Sequence, residues 1–125
     1  MAQQFFMVAA AVFGALAVVA GAFGSHALAG YLSETGRTAT YEIAVRYHFY
    51  HALALLVAGL LMFHVHGRWI QASAWLFIAG VILFSGSLYV LCLTRQTFWA
   101  YITPFGGVLF IIGWFCLAAA LIYHE

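Results

Sequence analysis

The segment Tyr41-Glu42-Ile43-Ala44-Val45-Arg46-Tyr47-His48-Phe49-Tyr50-His51 carries a carboxylate, a guanidinium and two imidazoles along a short stretch of chain. These groups hold protons, ion pairs and ligands. Glu42 and Arg46 are four residues apart, so on a helix they can pair along one face. At about 100° per residue, Tyr47 and His51 fall on nearly the opposite face. Ala44, Ala54 and Ala58 share that second face. The segment therefore offers two polar stripes, one of them among small residues suited to helix contact.

Three other motifs hold the remaining candidate groups. His26 lies in Gly21-Ala22-Phe23-Gly24-Ser25-His26-Ala27-Leu28. Ser85 and Ser87 lie in Phe84-Ser85-Gly86-Ser87-Leu88-Tyr89, and Thr103 opens Thr103-Pro104-Phe105-Gly106-Gly107. The candidate site is thus His26, Glu42, Arg46, Tyr47, Tyr50, His51, Ser85, Ser87 and Thr103. No Ser-His-Asp set, phosphate loop, Cys-x-x-Cys or carboxylate pair is present, so no enzyme activity is expected. His26 and His51 could ligate haem or another metal, but no spacing signature supports that. The expectation is no metal and no cofactor. His64, His66, His124 and Glu125 form a second set, read as plain polar residues near helix ends.

The elements that position these residues follow from composition. Hydrophobic residues make up 67% of the 125 and charged residues 6%, against roughly 25% charged in a soluble domain. A surface so poor in charge is solvated by lipid. Four segments are long enough for a bilayer core of about 30 Å: residues 5–28, 41–63, 70–93 and 104–123. Short connections make consecutive helices antiparallel neighbours. The fold class is an all-α membrane protein, one domain of four antiparallel transmembrane helices. That order brings the end of the first helix, the start of the second, the end of the third and the start of the fourth to one membrane face. All four motifs then meet there.

Packing and topology signals agree with this arrangement. Ala10, Gly14, Ala17, Gly21 and Ser25 form one small-residue stripe, and Gly106, Gly113 and Ala120 another. Small stripes let helices approach closely in lipid. Tyr31, Trp99 and Tyr101 mark one interface, Trp69 and Tyr123 the other. Pro104 suits a first helical turn with Thr103 as its cap. Cys92 and Cys116 sit in apolar runs at different depths and are read as small buried hydrophobes. The first segment lacks the basic flank of a signal peptide. Arg37 and Arg95 against Arg68 favour loops 1 and 3 on the cytoplasmic side. A net charge of +1 implies no nucleic-acid partner.

Taken together, the four motifs, in this order, resemble the family known as domain of unknown function 423, a group of small inner-membrane proteins. The resemblance covers essentially the whole chain. It implies a four-helix protein of the inner (plasma) membrane and carries no molecular function with it. Three readings stand. The first is a non-enzymatic structural or accessory membrane subunit, with the bilayer, further copies or a larger membrane complex as partners. The alternative is a small-solute or proton transporter or channel acting as an oligomer. A second alternative is a haem- or metal-binding membrane protein.

Overall fold

The computed structural model describes residues 1–124. It contains α1 (Ala2–Ser25), a short α2 (Ala29–Thr35), α3 (Thr38–Leu61), α4 (Arg68–Thr94), a 3-10 turn (Thr97–Tyr101) and α5 (Thr103–Tyr123). The protein is an all-α membrane protein. Four of its helical spans are long and apolar enough to cross a bilayer. A 24-residue helix such as α1 or α3 is about 36 Å long, slightly more than the hydrocarbon core.

The first span ends at Ser25 rather than Leu28, and the connection that follows is itself helical. Backbone groups near the hydrocarbon must find partners within the chain, and α2 supplies them. Leu32 turns inward and is buried, while Ser33 and Glu34 face out. The reversal into α3 needs Gly36 in the left-handed conformation, φ 69°. There the N–H of Gly36 bonds Ser33 O, and that of Arg37 bonds Leu32 O at 2.9 Å. This is the Schellman closure that favours glycine.

The central helix of the fold is α3. It packs against α1 on one side and α4 on another, while α4 and α5 pair along their length. The main apolar core joins Phe6, Leu55, Ile70, Phe77 and Phe110. A smaller one joins Leu32, Tyr41 and Cys92. Much of α1 faces outward through Val8, Val12, Leu16, Val19 and Phe23, as suits a helix bathed in lipid.

The small-residue stripes divide. Gly106, Gly113 and Ala120 are all buried. On α1, Ala10 and Ala17 are buried, and Gly21 has Val45 within contact range of a Cβ. Gly14 meets nothing within 4 Å. Gly106 of α5 lies close against a π-helical turn, Val81–Ser85, inside α4. A Cβ on Gly106 would run into the backbone of Phe84 and Leu83. The wider turn of α4 thus lies opposite Gly106 of α5.

Pro104 sits in the first turn of α5, as its fixed φ favours. Thr103 is not the cap: the N-cap residue is Ile102, without a side-chain bond. The Thr103 hydroxyl instead donates back to Trp99 O at 3.3 Å and pairs with Ser87.

Candidate functional site

The helix pairings place the four motifs at one end of the molecule. Tyr41 of α3 lies against Gly24 of α1. Ser85 of α4 bonds Ala44 of α3, and Ser87 of α4 meets Thr103 of α5. The candidate residues then separate into an interior set and an outward set.

The interior set is closed by its own hydrogen bonds. The Ser85 hydroxyl is fully buried and donates to Ala44 O at 2.7 Å. The Ser87 and Thr103 hydroxyls share a bond of 2.6 Å. His51 is 4% exposed. Its Nδ1 lies 2.8 Å from Tyr47 O, which can only accept, so Nδ1 carries the proton. Its Nε2 is then free to accept from the indole N–H of Trp114 at 3.0 Å. Both contacts require a neutral ring in that one tautomer. Phe110 stacks on the imidazole with centroids 3.6 Å apart. Tyr47 packs on Phe84, at 5.0 Å between centroids, and stays partly exposed.

Sequence reasoning passed over four members of this interior. His48 is 6% exposed, and its Nδ1 is 2.9 Å from the Tyr89 hydroxyl on α4. Its Nε2 is buried without a hydrogen-bond partner among the described residues. Tyr41 donates to Ala20 O at 2.6 Å, tying α3 to α1. Trp114 is the fourth. The signal for His48 was available, since it stands seven residues after Tyr41 and so shares its face of α3. Tyr89 stood at the end of the Ser85 and Ser87 motif but nothing in the spacing tied it to His48, and Trp114 gave no signal because it lies among apolar residues.

The outward set lies in a lateral groove of about 780 Å³ between α1 and α3, closed at one end by α2. Glu42, Arg46 and Tyr50 are exposed and line it, with Tyr41 among its walls. The ion pair expected between Glu42 and Arg46 is not formed. Among the described residues no carboxylate lies within 4.0 Å of a basic nitrogen. Both charged residues line the groove without pairing with one another. His26 belongs to neither set: it is exposed at the end of α1, outside the groove.

Among the described residues no group of three or more His, Cys, Asp or Glu side chains is placed to hold a metal ion. His64, His66 and His124 are exposed, and Glu125 lies outside the described residues. Cys92 and Cys116 are both free thiols.

This geometry can be set beside known proteins. The family described as "Protein of unknown function (DUF423)" matches residues 20–107, most of the chain. The chain belongs to the DUF423 family. Its matched region contains all four motifs, from Gly21 to Gly107. The UPF0382 membrane protein YwdK of Bacillus subtilis is 40% identical over 123 residues, 98% of this chain and 99% of that protein. A UPF0382 membrane protein of Staphylococcus aureus is 43% identical over 120 residues, 94% and 95% of the two chains. The inner membrane protein YgdD of Escherichia coli is 35% identical over 114 residues, 91% and 86%. No solved structure matches. As a DUF423 protein the chain is a membrane protein of a family without an assigned molecular function.

Proposed function

We propose that this DUF423 protein is a non-enzymatic structural or accessory subunit of the inner (plasma) membrane. One observation carries the reading. The interior polar side chains bond mainly to neighbouring helices: Ser85 to Ala44, Ser87 to Thr103, and His51 to Trp114. Polar groups used in this way fix helix packing in lipid and support a scaffold rather than a reaction centre. The chain has little mass outside its spans, so it acts within the bilayer plane, on further copies of itself or on a larger membrane complex. The name of the E. coli relative supports the inner membrane. Arg37 and Arg95, on the side of loops 1 and 3, outnumber Arg68 on the other and favour that side as cytoplasmic.

The test is reconstitution into liposomes loaded with pH- and potassium-sensitive dyes. Flux should equal that of empty liposomes, and His51→Ala should lower thermal stability in detergent. A second reading, a small-solute or proton path formed between copies, is favoured by the unpaired Glu42 and Arg46, since intramembrane charges often mark such paths. Flux above background that Arg46→Ala abolishes in folded protein would replace the first reading with the second.

A further inference from the structure

We infer that the groove between α1 and α3 is a binding site for a zwitterionic aminophospholipid of the phosphatidylethanolamine type. The inference goes beyond the scaffold role. It rests on the shape of the groove, the chemistry of its walls and the state of its two charges.

The groove is concave and opens sideways, where a transmembrane helix bundle meets lipid. Its walls are largely apolar and small, with Ala17, Gly21 and Gly24 on α1 and Val45 on α3. Acyl chain packs against such a surface without polar cost. Glu42 and Arg46 both line it, exposed and not paired with one another. An unpaired charge at the edge of the hydrocarbon is less well solvated than in water, so an occupant that satisfies both groups is favoured.

The depths fit a headgroup. Glu42 lies in the second turn of α3, which begins at Thr38. It therefore sits close to the membrane surface. Arg46 is one turn deeper, about 5–6 Å along the axis, and its long side chain can extend back toward the interface. Its guanidinium offers a planar fork to a phosphate. Glu42 then faces the ammonium on the far side of the ethylene bridge and accepts its N–H donors. A trimethylated choline has no N–H to give Glu42. A glycerol headgroup brings no cation and leaves the carboxylate beside net negative charge. A second copy of the chain is the poorer occupant, because a two-fold contact sets the same patch on itself. Two concave grooves face to face would leave their volume unfilled.

Native mass spectrometry of the full chain in mild detergent tests the site, with phosphatidylethanolamine and phosphatidylglycerol of identical acyl chains added in equal amounts. A charge-assisted contact at this depth is worth about tenfold in affinity, so wild type should retain the ethanolamine lipid about tenfold over the glycerol lipid. Glu42→Gln should erase that preference while still binding lipid, and Arg46→Gln should lose both lipids. Circular dichroism melting checks that each variant is folded; if Arg46→Gln is not, the loss of preference in Glu42→Gln decides alone. Equal retention of the two lipids by wild type overturns the proposal. So does a preference that Glu42→Gln leaves intact, or a lipid-free dimer held together through this face.

Discussion

Trp114 holds His51 from outside: the indole, half exposed on α5, donates its N–H inward to the imidazole Nε2 at 3.0 Å. The ring so held has its other nitrogen committed to the carbonyl of Tyr47. A carbonyl on α3 and an indole on α5 therefore agree on one tautomer of the buried histidine, and together they fix its orientation. Trp114→Phe keeps the aromatic surface and removes the donor. It should cost about 0.6–1.7 kcal/mol, the measured scale of interhelical hydrogen bonds in membranes. Thermal unfolding in detergent measures it. In a double-mutant cycle with His51→Phe, the second change should cost less in the Trp114→Phe background than in wild type; strict additivity would remove the bond from the account.

The glycines of the two stripes should not be equivalent. Gly106→Ala drives a methyl into the backbone of Phe84, which cannot swing aside as a side chain would. Loss of folded yield is expected, on the scale of overpacked cores, about 1–3 kcal/mol or more. Gly14→Ala meets open space and should behave as wild type. Size-exclusion profiles of fluorescent fusions rank them directly.

Ser85 and Ser87 lie two residues apart and serve different helices. Ser85→Ala removes the bond to Ala44 O and should loosen α4 from α3. Ser87→Ala and Thr103→Ala remove one shared bond between α4 and α5. The Ser87 and Thr103 changes should couple in a double-mutant cycle, by about 0.5–1.5 kcal/mol. Ser85 should add independently to Thr103, because they share no partner.

Tyr41→Phe should weaken the docking of α1. The lost bond to Ala20 O is a link between α1 and α3, and the ring itself remains against Gly24. The expected cost is about 1 kcal/mol, with faster hydrogen exchange at the end of α1 nearest α2 as a local readout. Unchanged exchange there would mean that ring packing alone holds α1.

What the sequence determined by itself was the membrane class, the number of spans, their approximate ends, and the gathering of four distant motifs at one face. The physical reason is that each depends on quantities local to a segment. The run of apolar residues against the thickness of the bilayer gives the spans, and their antiparallel alternation gives the shared face. The burial of His51 followed from its depth in α3 in the same way.

Only the tertiary structure decided how each helix is rotated and which side chains meet. An apolar span such as α5 has no polar face to announce its orientation, so Trp114 could not be recognised as the partner of His51. Glu42 and Arg46 satisfied the spacing rule for an ion pair, yet they stay unpaired in the wall of a groove that exists only once α1 and α2 are docked on α3. The same docking took Thr103 from an expected cap to the partner of Ser87. Rotamers and helix rotation answer to every neighbour at once. That information lies in the contacts between α1, α3, α4 and α5 and in no one of their sequences.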